Sequence, residues 1–167
     1  MEEMQSLDVS GLDQAGFMQA LRHYKARVAL TTALADIAQA WPVLQVTRAL
    51  TEFAGFAVVS TLRHLLHKAA QRGEFTIANA AEPEAGSGII ILGMGKLGAY
   101  ELNYSSDIDL IVLFDKDTLP YTGPRNPQQF MTKLAGDLVN LLQERTSDGY
   151  VFRTDLRLRP DPMSTPL

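Results

Sequence analysis

One densely patterned stretch constrains the fold of this chain most, and over residues 86–115 it reads GSGIIILGMGKLGAYELNYSSDIDLIVLFD. Its first part, Ile89 to Leu92, is a continuous apolar run rich in β-branched residues, too short for a helix, which predicts a buried strand. Gly93, Gly95 and Gly98 follow at once, and glycines at a strand end permit positive φ and let an anion approach the backbone. The stretch therefore predicts a strand, a glycine turn, a short helix and a second strand.

Two aspartates stand at the start of that second strand. Asp107 and Asp109 flank Ile108 and lead into the apolar run LIVLF. Side chains two residues apart on a strand share a face, with Cα atoms roughly 6.5–7 Å apart, so these carboxylates converge. Carboxylate oxygens suit Mg²⁺, which in turn suits phosphate chemistry because it neutralises charge and clamps the reacting oxygens. The pattern predicts a magnesium site at the strand entrance.

A third strand is predicted over residues 150–159, YVFRTDLRLR. Its alternation places on one face Val151, Arg153, Asp155, Arg157 and Arg159, and on the other face, which is expected to join the core, Phe152, Thr154, Leu156 and Leu158. Arginine suits phosphate oxygens. A strand adjacent to the acidic one would lie about 4.8 Å away, and Asp155 would then complete a three-carboxylate site. The order of the strands does not follow from the sequence.

Each of these sites also has a simpler interpretation. Asp107 and Asp109 are compatible with solvated turn residues, because aspartate is common in turns. Asp155 is compatible with an ion pair to Arg153 or Arg157, a contact worth about 0–1 kcal/mol when exposed. Ser105, Ser106 and Lys96 suit either phosphate contacts or an ordinary loop surface, and Lys96 lacks the following Ser or Thr of a Walker A loop.

The three glycines also fit G-x-G-x-x-G, the dinucleotide-binding turn. Asp115 even lies about 20 residues further on, where such folds place a ribose-binding acid. Against this alternative, the segment after the glycines is too short and lacks an apolar stripe. The alternative also leaves the paired aspartates unexplained.

The rest of the chain is predicted to be mainly helical. An apolar stripe at helical spacing begins near Asp13 and continues through Leu34 and Ile37, and the helix breaks at Trp41-Pro42. A second helix is expected over residues 44–71. A third begins with Asn126 as N-cap and Pro127 at its first position. These elements divide the chain into a helical region (1–73), a connector expected to act as a hinge (74–87) and an α/β core (88–167).

Composition excludes several classes of protein. The 167 residues suit one domain. The net charge of −4 argues against a general nucleic-acid binder. The chain has no cysteine for a disulfide or thiolate site. No apolar run approaches the roughly 20 residues needed to span a membrane, and the acidic N-terminus is unlike a signal peptide. We expect a cytoplasmic protein.

The motifs resemble a known family. A glycine turn followed by Ser-Asp-x-Asp resembles the nucleotidyltransferase superfamily of the DNA polymerase β type. GMGKLGAYELNYSSDIDL, followed by FRTDLRLRP, more closely resembles the bacterial glutamine synthetase adenylyltransferase/adenylyl-removing family. The resemblance implies an α/β (α+β) core with a small mixed sheet, preceded by a helical hairpin, and it implies that the strand of Asp155 adjoins that of Asp107 and Asp109. Because that family's chains are much longer, this chain is expected to be a fragment.

The same resemblance implies roles for individual residues. Asp107, Asp109 and Asp155 would hold Mg²⁺ and act as the catalytic carboxylates. Phosphate contacts would come from the glycine turn, the adjoining serines and the arginines, that is, from Gly93, Gly95, Lys96, Gly98, Ser105, Ser106, Arg157 and Arg159. The implied partners are glutamine synthetase, ATP or ADP, inorganic phosphate and, through other parts of such enzymes, a trimeric nitrogen-signalling protein.

The direction of the implied reaction is less constrained. The sequence ELN before SSDID resembles the first, adenylyl-removing domain of the family, which implies phosphorolysis of adenylyl-tyrosine to give ADP. The alternative is the adenylylating half, which transfers AMP from ATP to a tyrosine of glutamine synthetase. Alternatives of another class are a dinucleotide-binding oxidoreductase domain and a non-catalytic docking fragment.

Overall fold

A computed structural model describes residues 11–156 of the chain. Within that range it has four helices and three strands, in the order α1 (Gln14–Ile37), α2 (Val43–Gln71), β1 (Ile89–Met94), α3 (Gly95–Gly98), β2 (Ile108–Phe114), α4 (Pro127–Gln143) and β3 (Thr154–Asp155). None of these helices combines the length and the apolar character that crossing a bilayer requires.

The helical hairpin of α1 and α2 begins where the sequence predicts. The Asp13 side chain caps α1 by accepting the N–H of Gly16 at 2.8 Å, and Pro42 precedes α2. The predicted apolar stripe is wrong at its end, because Leu34 and Ile37 are 59% and 81% exposed. Helical periodicity identifies residues that share a face, but it does not say how far along the helix a partner covers that face.

The sheet has the order β1-β2-β3 and is mixed. β1 pairs antiparallel with β2, from Ile89 opposite Phe114 to Met94 opposite Asp109, and β2 pairs parallel with β3. These pairings confirm the predicted α/β core with its small mixed sheet. Only the family resemblance predicted that the strand of Asp155 lies beside the acidic strand, and the structure confirms that order.

The third strand is shorter than predicted within the described range. Only Thr154 and Asp155 pair with β2, whereas the N–H groups of Val151 and Phe152 both bond to the carbonyl of Leu142 at the end of α4. Val151 was predicted on the face of Asp155, but it is fully buried, because this bond turns the backbone before the strand begins. Arg157 and Arg159 lie outside the described residues.

The two faces of the sheet differ in burial. Ile108 and Leu110 are 0% and 1% exposed and belong to the same hydrophobic core as the residues of the helices. On the opposite face Ile90 and Leu92 are 51% and 44% exposed. The prediction of a fully buried first strand is therefore wrong: a short run of apolar residues does not show whether one or both faces are covered.

A buried arginine joins the hairpin to the α/β core. Arg22 on α1 is 1% exposed. Its guanidinium donates to four backbone carbonyls, those of Met18, Leu141, Glu144 and Gly149. Burial lowers the pKa of Arg22, and the charges of Glu144 and Asp148 offset part of this shift. The guanidinium thus binds the end of α4 and the turn before β3 to α1, a contact that the helical pattern does not predict.

The connector at residues 74–87 is held by contacts with both neighbouring regions. Phe75 is buried and forms a bridge with Tyr121, and Arg63 on α2 pairs with Glu84. These contacts hold the connector in the observed arrangement, and its action as a hinge stays a prediction. The division into a helical region, a connector and a core stays a prediction, although side chains from α1, α2, β2 and α4 share one core.

Packing explains the glycines of the turn. A Cβ on Gly98 would lie 2.5 Å from the carbonyl oxygen of Gly93, and a Cβ on Gly93 would lie 2.8 Å from Leu97. Gly95 has φ +54, a left-handed conformation that favours glycine. The turn therefore requires small residues for its own folding, whether or not an anion binds there.

We expect replacement of Arg22 by methionine to lower the free energy of unfolding by about 3 kcal/mol, since the buried carbonyls lose their donors. Arg48→Met is the control, because Arg48 is exposed and forms an i,i+4 pair with Glu52 worth about 0.5 kcal/mol or less. Urea denaturation followed by circular dichroism measures both variants. Equal losses in the two variants would contradict the structural role of Arg22.

Gly98→Ala should destabilise the chain by about 1–3 kcal/mol, because the methyl group meets a backbone oxygen that cannot move aside freely. Gly136→Ala is the matched control. Gly136 lies inside α4 with open space around its Cα, so alanine there should stabilise by about 0.5–1 kcal/mol. Thermal unfolding of both variants tests the sign, and a neutral Gly98→Ala would refute the packing account.

Candidate functional site

Three carboxylates lie on one face at the end of the sheet, and we call Asp107, Asp109 and Asp155 the acidic edge. Asp109 and Asp155 are register partners on the parallel strands β2 and β3, so their side chains point to the same face from Cα atoms about 4.8 Å apart. Asp107 precedes Asp109 by two residues, and the buried Ile108 between them points into the core. The structure thus brings together the backbone positions of all three predicted carboxylates.

Asp107 already has a partner. Arg153 donates from Nε to Asp107 Oδ1 and from its terminal nitrogen to the carbonyl oxygen of Ser105 at 3.3 Å. The Arg153 and Asp107 side chains are 60% and 53% exposed. Because both are solvated, the pair contributes only about 0–1 kcal/mol. From the sequence, Arg153 was one of two candidate partners of Asp155, whereas in the structure it pairs with Asp107.

The acidic edge is not closed around a common centre. Between residues 11 and 156, no three acidic or histidine side chains converge in a way that would hold a metal ion. Asp107 is turned toward Arg153, and carboxylates without a cation between them repel one another. The assignment of these residues as metal ligands and catalytic groups stays a prediction.

The glycine turn starts directly beside the acidic edge. Met94, the last residue of β1, lies opposite Asp109, and a Cβ on Gly95 would lie 3.0 Å from Asp109 Oδ2. Absence of a side chain at Gly95 therefore leaves space against this carboxylate. Gly93 and Gly98 stabilise the turn from within, and Lys96 lies on its exposed surface.

The loop that enters β2 is organised by Asn103. Its side-chain oxygen accepts the hydroxyl of Ser106 at 2.7 Å and the N–H of Ser105 at 3.3 Å, and its own N–H donates to Ser106 Oγ. Both serines thus lie shortly before Asp107, in a loop whose polar groups form hydrogen bonds with one another. Asn103 was not predicted as a functional residue, although Asn two or three residues before Ser is a common turn signal.

Two contacts connect this loop to the helical hairpin. The Tyr104 hydroxyl donates to Asp36 on α1 at 3.1 Å, and the Leu102 N–H donates to Thr51 Oγ1 on α2 at 3.3 Å. Leu102 itself is fully buried. The hairpin therefore positions the loop that carries the serines and Asp107, a role that the sequence did not predict.

The strand pairing excludes the dinucleotide-binding alternative. A dinucleotide-binding unit joins two parallel strands through a helix of several turns. Here β1 and β2 are antiparallel, and the connection contains only the four-residue α3. The glycines therefore belong to a hairpin-like turn beside an acidic strand.

Comparison with known proteins gives a consistent result. Residues 3–167 match the family model described as glutamate-ammonia ligase adenylyltransferase. The chain is similar to proteins named bifunctional glutamine synthetase adenylyltransferase/adenylyl-removing enzyme. Identity is 54% to that of Bradyrhizobium sp. (strain ORS 278) over 91% of the chain, 49% to that of Rhodopseudomonas palustris (strain ATCC BAA-98 / CGA009) over 100%, and 47% to that of Rhizobium meliloti (strain 1021) over 95%.

The matched region is a small part of each relative. It covers 15% of the Bradyrhizobium protein, 17% of the Rhodopseudomonas protein and 16% of the Rhizobium protein. The similarity nevertheless includes the glycine turn, the acidic edge and the helical hairpin, since the family model extends over nearly the whole sequence. The chain belongs to the glutamate-ammonia ligase adenylyltransferase family.

Proposed function

We propose that this chain carries a nucleotidyl-transfer site of a protein that regulates glutamine synthetase, and that the site removes AMP from an adenylylated tyrosine. One observation carries the proposal: Asp109 and Asp155 are register partners beside the glycine turn, with Asp107 on the same face. The names of the relatives, which combine adenylyltransferase with adenylyl-removing enzyme, support the reaction class.

The donor set of the acidic edge fits magnesium. Carboxylate oxygens are its preferred protein ligands, and the three aspartates are presented from adjacent backbone positions at an exposed end of the sheet. Asp107 has to leave Arg153 to take part, and the low worth of an exposed pair makes that change inexpensive. Magnesium, when bound, would neutralise charge on the phosphate oxygens.

The reaction proposed for this site is a phosphorolysis. An oxygen of inorganic phosphate attacks the phosphorus of the adenylyl group, the bond from phosphorus to the tyrosine oxygen breaks, and the tyrosine leaves while ADP forms. The residues of this chain act by orienting the reacting groups in line and by balancing charge. The glycine turn offers a close approach to the backbone, and Arg153 offers a guanidinium suited to phosphate oxygens.

Phosphate fits the proposed attacking group for an electrostatic reason. Arg153 is exposed and contacts Asp107, so a guanidinium stands at the acidic edge. Phosphate is attracted to that charge, whereas the hydroxyl of an unmodified tyrosine is neutral. Adenylylation with ATP uses the same carboxylates and is the second candidate, favoured by the other half of the relatives' names.

Asp107→Asn combined with Asp109→Asn should reduce magnesium-dependent turnover in the complete protein by at least roughly 100-fold, because charge stabilisation of this kind is worth several kcal/mol. Fold should be unaffected, since neither side chain belongs to the core. Asp117→Asn is the matched control in the exposed loop after β2. Calorimetric titration with Mg²⁺ supplies a second readout, and a double variant with normal turnover would refute the site.

Adenylylated glutamine synthetase, given phosphate and Mg²⁺, should yield ADP in the presence of the complete protein. Asp155→Ala should slow that release by orders of magnitude with little change in melting temperature, because Asp155 lies on the open face of the sheet. Transfer of AMP from ATP to unmodified glutamine synthetase as the main activity would assign the opposite direction. A protein inactive in both directions would indicate a docking role instead.

A further inference from the structure

A groove of about 810 Å³ lies between α2 and α4, and it borders the proposed nucleotidyl-transfer site, with which it shares only Arg153 among the described residues. It is lined by four cationic side chains, on Lys68, Arg72, Lys133 and Arg153, against two carboxylates, on Asp137 and Glu144. The lining is therefore more positive than negative, although the chain as a whole has a net charge of −4. Neither the family model nor the relatives' names assign anything to this groove.

A buried histidine without a hydrogen-bond partner lines the groove. His64 is 3% exposed, and its ring stacks on Phe17 with centroids 4.4 Å apart and planes 12° apart. In the part of the chain that the structure describes, no side chain or backbone group forms a hydrogen bond to the ring nitrogens of His64. The only fully buried side-chain nitrogen or oxygen without a hydrogen-bond partner in that part is Thr154 Oγ1, so the ring nitrogens of His64 are not fully buried. The nitrogens of His64 therefore keep solvent access, and the groove provides it.

Lys68 lies beside this histidine with its charge uncompensated. It follows His64 by four residues on α2, so both side chains lie on one helix face. The other groove cations have acidic partners: Arg72 pairs with Glu74 at 2.8 Å, Lys133 with Asp137 at 2.7 Å, and Arg153 with Asp107. Across residues 11–156, no carboxylate forms an ion pair with Lys68.

The electrostatic surroundings of His64 favour its neutral imidazole when no anion is bound. Its pKa is lowered by burial first, then by the charges of Lys68 and His67, with a smaller opposing effect from Asp13. Further charged groups line the groove. They are Arg72 after α2, Lys133 and Asp137 on α4, Glu144 after α4 and Arg153 before β3. An anion next to the ring would favour the protonated imidazolium and raise the pKa.

We propose that the groove binds a small anion through His64 and Lys68. The ligand class is a compound with a phosphate or carboxylate group, whose oxygens accept the imidazole N–H and balance the ammonium charge of Lys68. The amide of Asn140 is a further lining group able to bond such oxygens. This inference does not rest on the proposed nucleotidyl-transfer function.

The test is an NMR titration of the 167-residue chain with inorganic phosphate and, separately, with malonate. EDTA is present throughout, because without a metal ion the three carboxylates of the acidic edge oppose the attraction of Arg153 for an anion and so weaken binding there. Sodium chloride at the same ionic strength is the reference. Binding should raise the pKa of His64 and shift the amide signals of the groove residues of α2, and the stronger of the two anions identifies the favoured group.

Matched variants locate the binding. Lys68→Ala should weaken phosphate or malonate binding about tenfold, the effect of losing one charge-assisted hydrogen bond. Lys116→Ala removes an exposed lysine outside the groove and should leave binding within about twofold, the scale on which remote charges are screened. His64→Phe keeps a ring against Phe17 and should fold while losing affinity, as read from the amide signals.

Two results would overturn the proposal. One is a His64 pKa that moves no further with phosphate or malonate than with sodium chloride. The other is an equal loss of binding in Lys68→Ala and Lys116→Ala, which would indicate a general charge effect. Melting temperatures of the variants show whether any loss arises from unfolding.

Discussion

The buried guanidinium of Arg22 is the contact on which the arrangement of the site most depends. It bonds to carbonyls at the end of α4 and in the turn at Gly149. Two residues after that turn, Val151 and Phe152 are fixed to the end of the same helix, and Asp155 enters the sheet immediately afterwards. Because a buried cation is costly unless its hydrogen bonds are complete, this network permits few alternative positions for β3.

The helical hairpin positions the acidic edge from two sides. On the side of β3, Lys25 adds to Arg22 by donating to the carbonyl of Tyr150 at 2.8 Å and by lying over its ring. On the side of the glycine turn, Asp36 and Thr51 hold the loop that leads to Asp107. The strands β2 and β3, which carry Asp109 and Asp155, pair over only two residues each. The contacts with the helical hairpin therefore contribute much to holding these strands in place.

Local signals in the sequence predicted the helices and strands well, but they predicted poorly which of their faces are buried and what packs against them. Asn126 was predicted as the N-cap of α4, and the start of α1 near Asp13 was predicted from its apolar stripe, because both signals lie within a few turns of chain. The exposure of Ile90 and the burial of Arg22 depend on which segments, distant in sequence, pack against them. The local spacing of apolar residues carries no information about those segments. The order of the strands is likewise a long-range property, and only the family resemblance supplied it.

In the candidate site, too, the local features were predictable from the sequence and the long-range contacts were not. The spacing of Asp107 and Asp109 predicted a shared face because alternation along a strand is a local rule, and β2 follows it. The partner of Asp107 was not predictable, since Arg153 reaches it across the sheet. The roles of Gly93 and Gly98 in packing were also hidden, because the sequence shows that a position is small but not what lies against it.

The charge of Arg153 bears on the direction of the proposed reaction in a way that the carboxylates do not. Adenylylation by ATP and phosphorolysis of adenylyl-tyrosine are different reactions that share one in-line geometry at phosphorus, so the acidic edge serves both equally. An attacking phosphate brings negative charge to an edge that already holds three carboxylates, and that repulsion has to be offset. An attacking tyrosine hydroxyl brings none, and in that direction the negative charge enters with ATP, on the group that is attacked and on its leaving group. The Arg153 guanidinium is held at the acidic edge only by a weak, exposed ion pair, so it favours a phosphate nucleophile more than a tyrosine nucleophile. In the proposed reaction, phosphate replaces Asp107 as the partner of Arg153 when the carboxylate turns away.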